Sequence, residues 1–272
     1  MGRFLVMKLS EIFFSQLSEF EHHEIFQAAQ NIWDPLKDID QTLAAILGKY
    51  SENSTDCALP SGIVLLDANA TGSKKLGRGL YIEKAVELSE PLSVSNLGIH
   101  VGAGTLLEPT VVIKSSTVIG EHCEVRQGAY IRGNVVVGNH SVIGHATEVK
   151  NSILMNHTHA GHFNYVGDSI LGSHVNMGAG SRLANLEFRT AREKLDETIR
   201  PIELKIEQET VATGLKKFGA VLGDYVELGC NAVLCPGVLV GKESWIAPNV
   251  TVPKGYYPPG SIFSPKARGK NL

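Results

Sequence analysis

From residue 101 to residue 149 an aliphatic side chain falls on every sixth position: Val101, Leu107, Ile113, Ile119, Val125, Ile131, Val137, Ile143 and Val149. A second run, Leu222, Leu228, Leu234, Val240, Ile246 and Val252, keeps the same step. Between them the step slips but persists, as Leu154, Ala160 and Val166, then Leu171, Met177 and Leu183. Glycine often follows the aliphatic residue, as at Gly120, Gly138, Gly144, Gly172, Gly223 and Gly241. A helix would scatter these side chains, because six residues turn it by about 600°. Hairpin strands need no single phase held over fifty residues. A coil of short strands does. Each hexad forms one flat side with its aliphatic residue inward, glycine permits the corner, and three hexads close a turn on which the next turn stacks in parallel. The pattern predicts a mainly β chain folded as a hexapeptide-repeat parallel β-helix.

The flanks lack this period. Phe13, Leu17, Phe20, Phe26 and Ala29 predict one amphipathic helix. Asp34-Pro35 has the form of an N-cap and first helical residue, and Leu36, Ile39, Leu43, Ile46 and Leu47 line one face of a second helix. Residues 62–66 read as a buried strand, and Lys74, Lys75 and Arg78 as a loop. The expected organisation is an α-rich region over 1–78, the β-helix over 79–257 with a charge-dense loop or arm at 186–219, and a tail over 258–272.

With 272 residues, 43% hydrophobic and 19% charged, the chain has the composition of a globular protein with a sizeable core. A net charge of −3 gives no support for a nucleic-acid or polybasic membrane partner. No apolar run reaches the ~20 residues of a membrane span, and the N-terminus lacks the features of a signal peptide. Cys57, Cys123, Cys230 and Cys235 are scattered, which predicts buried thiols in a reducing, cytoplasmic setting.

Polar groups concentrate over residues 150–185. In a β-helix with an aliphatic bore, His162, Tyr165, Asn176 and Asn185 should project outward. Arg132 lies upstream, and Lys216 and Lys217 lie downstream. Cations gathered with a histidine and amides suit a phosphate-bearing substrate and a proton transfer.

The segments AGHFNYVGD (160–168) and VNMGAG (175–180) resemble the acetyltransferase half of bifunctional glucosamine-1-phosphate acetyltransferase/N-acetylglucosamine-1-phosphate uridylyltransferase, a hexapeptide-repeat acyltransferase. The similarity covers about residues 95–255, and ANLEFR…VATGLKKFGAVLGD is more similar still to the archaeal-type sugar-1-phosphate nucleotidyltransferases with such a C-terminal half. The resemblance implies a left-handed coil, an exception to the usual right-handed crossover. It also implies a homotrimer with its sites between subunits, acetyl-CoA as co-substrate, and no metal for the transfer. It places the base on His162, the sugar phosphate on Arg132, Lys150 and Lys217, and the sugar on Tyr165 and Asn176. The acetyl-CoA contacts fall on Ala179, Asn185, Cys230 and Ala247. A family tyrosine is Leu186 here, and a coenzyme-A-contacting serine is Cys230. Residues 1–95 hold no GxGTR-like loop, so uridylyl transfer is not expected.

The activity implied is N-acetylation of an amino-sugar 1-phosphate in nucleotide-sugar biosynthesis. The alternatives are acyl transfer to a nucleotide-linked sugar and a non-catalytic trimeric β-helix binding module. A metal reading of His157, His159 and His162 is weak, because residues on one strand face alternate in direction. A γ-class carbonic anhydrase would need Ile143-Gly144-His145 followed by a second histidine where Lys150 stands.

Overall fold

The structure is a computed structural model in which residues 12–51, 59–66, 78–206 and 208–265 are described. Cys57, Lys74 and Lys75 lie outside these residues.

The chain is the expected parallel β-helix. Three nine-stranded sheets form its sides. Face I carries Ile99–Val101, Thr117–Ile119, Val135–Val137, Ser152–Leu154, Ile170–Leu171, Ala220–Leu222 and Val238–Val240. Face II carries Glu124–Val125, Val142–His145, His159–His162, Asn176–Met177, Glu227–Leu228 and Trp245–Ile246. Face III carries Tyr130–Ile131, Glu148–Lys150, Tyr165–Gly167, Arg182–Leu183 and Val233–Leu234. The hexad residues stack in register from coil to coil: Ile119 on Val137, Leu154, Leu171 and Leu222 along face I, with equivalent columns on the other faces. Every hexad residue named above lies in one continuous aliphatic core filling the bore. Each fully buried aliphatic side chain contributes about 1.5–3 kcal/mol, so the column carries the fold.

The slips in the period have a structural meaning. The steps Val149 to Leu154 and Val166 to Leu171 are one residue short, and both occur at the corner from face III to face I. The excursion at 186–219 leaves and returns at that same corner, where the Phe218 N–H donates to Asn185 O at 2.9 Å. It holds a short helix, Ala191–Leu195, capped by Thr190 and Glu193, and a hairpin of Glu203–Ile206 with Glu209–Ala212.

Face I also presents apolar residues outward: Val118, Val136, Ile153, Met155, Ile170, Val221 and Leu239. The N-terminal region covers them with Phe13, Phe14, Phe20, Phe26, Trp33 and Leu43, helped by Ile202, Leu204 and Phe218 from the excursion. Asp224 on the coil clamps this layer, accepting from Ser15 Oγ at 3.1 Å and Gln16 N at 2.7 Å.

The N-terminal region differs from expectation in detail. The amphipathic helix expected around Phe13–Ala29 is a series of 3-10 turns at Leu17–Glu19 and His23–Phe26. Asp34-Pro35 opens another 3-10 turn, and the α-helix follows at Ile39–Ser51. Ile63–Leu66 is an antiparallel strand with Leu65 exposed, not a buried one. The strands Gly79–Ile82, Val86–Glu87 and Leu92–Val94 pair antiparallel with the first coil, and Ile262–Phe263 adds a parallel rung beyond residue 257. Among the described residues no helix is long and apolar enough to cross a membrane.

Candidate active site

His162 ends its strand on face II at the corner leading to face III, and its side chain is exposed, as expected. The corner is held from below. The buried Asn164 accepts the His162 N–H at 3.0 Å and donates to Gly178 O at 2.8 Å. Phe163 takes the left-handed conformation (φ 53°) that turns the chain. One coil higher, Ala179 stands at the equivalent position, followed by Cys230. The Gly178 N–H donates to Leu228 O and the Gly180 N–H to His162 O, while the Ala179 N–H meets no acceptor among the described residues.

Two adjoining cavities run along face II. The lower, of about 400 Å³, is lined by His162, His159, Asn176 and Ala179 together with Glu124 and Arg126. The upper, of about 530 Å³, contains Cys230, Ala247, Trp245 and Phe263, and shares Asn176 and Gly178 with the lower. His162, Asn176, Ala179, Cys230 and Ala247 therefore share one groove. Asn176 is held by Glu227, to which its Nδ2 donates at 2.8 Å.

The remaining candidates gather on face III, mostly at the corner with face I. Lys150 Nζ lies 2.8 Å from Asp168 Oδ2, with only 17% and 8% of the two side chains exposed. Asn151 Nδ2 donates to Asp168 Oδ1 at 2.9 Å, and Asn185 Nδ2 donates to Asp168 Oδ2. The Tyr165 ring passes over Gly167, where an added Cβ would lie 2.6 Å from the Tyr165 hydroxyl and 2.9 Å from Asn185 Nδ2. Burial, with Asp168 and Glu148 nearby, raises the Tyr165 pKa. Arg132 pairs with Glu148 at 2.6 Å, and this hydrogen bond raises the guanidinium pKa further. Lys217 is exposed beside Phe218, next to Asn185, and Lys216 is exposed as well.

One chain thus divides the candidates between two adjacent faces: His162, Asn176 and the groove on face II, and Arg132, Lys150, Tyr165 and Asn185 on face III or its corner with face I. Sequence reasoning missed Asp168, Glu148 and Asn164. Their signal was present, because Asp168 follows Lys150 by eighteen residues, about one turn of the coil, and so stacks near it.

Among the described cysteines the expectation of buried thiols holds for Cys123 only. Burial pushes its thiol up to about 11. Cys235 is partly covered and Cys230 is exposed, because Cys230 stands at the outward corner position. The three histidines of H-x-H-x-x-H diverge. The His157 ring stacks with His140 and His174 at the corner of faces I and II, while His159 and His162 line the groove. Among the described residues no three His, Cys, Asp or Glu are grouped as metal ligands.

A family model described as the GMPPB C-terminal domain matches residues 113–233. The bifunctional protein GlmU of Methanococcus aeolicus is 33% identical over 196 residues, covering 69% of this chain and 42% of its own length. A bifunctional sugar-1-phosphate nucleotidylyltransferase/acetyltransferase of Sulfurisphaera tokodaii is 32% identical over 164 residues, covering 54% of this chain and 39% of its own length. An uncharacterized acetyltransferase, YaiX, of Escherichia coli is 28% identical over 181 residues, covering 64% of this chain and 75% of its own length. The chain spans about two fifths of the first two relatives. These names agree with the resemblance read in the sequence: the chain is similar to the hexapeptide-repeat acyltransferases.

Proposed function

We propose that this chain, a β-helix similar to the hexapeptide-repeat acyltransferases, transfers an acetyl group from acetyl-CoA to the amine of an amino-sugar 1-phosphate, a step of nucleotide-sugar biosynthesis. The observation that carries the reading is the face II groove, which joins the exposed His162 to Ala179, Cys230 and Ala247. Acyl transfer from a thioester needs a track for the donor, a base at its end and a donor for the oxyanion.

In this reading the upper cavity takes the pantetheine arm, with Cys230 and Ala247 beside it. His162 removes one proton from the sugar ammonium, a task suited to an imidazole near neutral pH. The freed amine forms a bond to the thioester carbonyl carbon. The Ala179 N–H stabilises the oxyanion at that carbonyl. As the C–S bond breaks, the thiolate leaves with the second proton of the attacking nitrogen, and the imidazolium returns its proton to solvent. Asn176 and Tyr165 orient the sugar, Asn185 meets the acetyl group, and Arg132, Lys150 and Lys217 meet the phosphate. No step calls for a metal.

A homotrimer completes the site in this proposal. Face I is covered by the N-terminal layer, which leaves faces II and III to meet other copies. A cyclic arrangement that sets face III of one copy against face II of the next would bring the cations of one beside His162 of its neighbour. A nucleotide-linked amino sugar is the second acceptor class, and one observation favours it: Lys150 and Arg132 are already paired with Asp168 and Glu148.

The test is release of free thiol from acetyl-CoA with a panel of amino-sugar 1-phosphates and nucleotide-linked amino sugars. Turnover by the wild type, reduced about 100-fold or more in His162→Ala, is the expected result. A His162→Ala rate close to wild type removes His162 as the base. No turnover with any acceptor, together with no coenzyme-A binding, leaves a non-catalytic binding module. Light scattering should give a mass three times 29.3 kDa.

A further inference from the structure

Eleven glycines directly follow an inward-pointing hexad residue: 102, 120, 138, 144, 161, 167, 172, 178, 223, 229 and 241. At ten of them a Cβ would come under 3.0 Å from a neighbouring atom. Gly178 would meet Leu228 O and Cys230 N, and Gly144 would meet the backbone of Gly161. Coil stacking therefore accounts for these ten, because the next turn or a neighbouring side chain occupies the space.

Gly161 is the exception. A Cβ there would meet nothing within 4 Å, and its φ lies outside the left-handed region that favours glycine. Neither stacking nor backbone geometry asks for glycine at this position. Glycine in extended structure also carries an entropic cost that alanine avoids. The open space lies in the lower cavity, directly before His162 and beside His159. On the same face, two coils below Gly161, the cavity is lined by the Arg126–Glu124 pair, with 2.7 Å between Nη2 and Oε2 and both side chains partly exposed.

We infer that Gly161 is the floor of the acceptor pocket, and that its missing side chain is the space in which the acceptor's amine-bearing ring comes up against His162. Arg126 and Glu124 offer that ring a cation and a carboxylate from the lower end of the same cavity, which suits a polyhydroxylated ring with an amine rather than an apolar acceptor. The acyl donor enters from the opposite end, past Cys230 and Ala247. The inference rests on the acyl-transfer reading and deepens it. Gly161 acts on the size of the pocket, not on the chemistry, so it should separate the two substrates.

The experiment compares wild type with Gly161→Ala and Gly161→Val. Gly161→Ala should melt at or above the wild-type temperature, because the fold leaves room for its Cβ. The KM for acetyl-CoA should stay within twofold. The kcat/KM for the acceptor should fall tenfold or more in Gly161→Ala, and further in Gly161→Val. A lowered melting temperature of Gly161→Ala would show that the fold does need glycine here, and would overturn the inference. So would wild-type acceptor kinetics in both variants, or a loss that falls on acetyl-CoA. A wild type with no turnover on any acceptor defeats the acyl-transfer reading itself. The pocket is then judged by calorimetric binding of N-acetylglucosamine 1-phosphate: affinity lost in Gly161→Ala upholds it, and equal affinity or no wild-type binding overturns it.

Discussion

Asp168 organises the corner that carries most of the candidate cations and amides. Its carboxylate accepts from Lys150, Asn151 and Asn185, and its backbone carbonyl accepts the Gly219 N–H at 2.8 Å where the excursion rejoins the coil. The carboxylate is almost fully covered, so its loss leaves the Lys150 ammonium poorly solvated and without its counter-ion. Asp168→Ala should cost about 3 kcal/mol in denaturant unfolding, and Asp168→Asn less, because the amide oxygen still accepts. Equal stability of Asp168→Ala and wild type would mean that Lys150 finds water instead. Opposite charges one coil apart are legible once the turn length is known. Which of two faces a residue joins is harder to read. The one-residue slips at Val149–Leu154 and Val166–Leu171 shift the register, and that is where Lys150 and Asp168 sit.

At the scale of the strand and its corner, the bore was legible almost completely. An inward side chain every sixth residue is a geometric demand with no other solution, and Ile143, at 1% exposed, is typical of the column. Ile143→Ala should destabilise by about 2–5 kcal/mol, measured by chemical denaturation, since the stacked coils above and below cannot close the void. Gly144→Ala should also destabilise, by about 1–3 kcal/mol or more, because its Cβ would enter the backbone of Gly161. A Gly144→Ala protein as stable as wild type would contradict the steric account of the corner glycines. The N-terminal elements were legible in composition but not in type. Phe14, Phe20, Phe26 and Ile32 are all buried and stand six apart, a spacing that suits turns of three residues better than turns of 3.6. Their partners, Val118, Val136 and Ile153, are distant in sequence, so local periodicity carried no sign of the surface against which they fold.

For the whole molecule the decisive joint is the one between the N-terminal layer and face I, and a buried histidine makes it sensitive to acid. His100 projects from Ile99–Val101 and stacks on Tyr50 of the helix Ile39–Ser51, with ring centroids 3.6 Å apart. Its Nδ1 lies 2.8 Å from Ser93 Oγ. Burial lowers its pKa from 6.5 to about 4; Glu21 opposes the shift, and His22 adds to it. His22, buried in the same layer against Phe20 and Tyr50, is lowered too, again by burial first. Both rings take up protons less readily in the folded chain than in the unfolded one. The unfolded state therefore binds more protons between pH 6.5 and about 4, and stability falls as pH falls through that window. The drop at His100 corresponds to a loss on the order of 3 kcal/mol by the acid end. Melts followed from about pH 7 to about pH 4 should show this loss. His100→Phe keeps a ring against Tyr50 and removes the titration, so its melting temperature should fall less over the same range. The layer covers the apolar outer side of Val118, Val136, Ile153 and Leu239, so its release exposes a contiguous hydrophobic strip. Acid loss should therefore be accompanied by binding of a hydrophobic dye before the coil itself melts, as the bore holds aliphatic groups and the Cys123 thiol, none of which takes up a proton in this window. Identical acid slopes for wild type and His100→Phe would place the sensitivity elsewhere, with the surface carboxylates as the next groups to test.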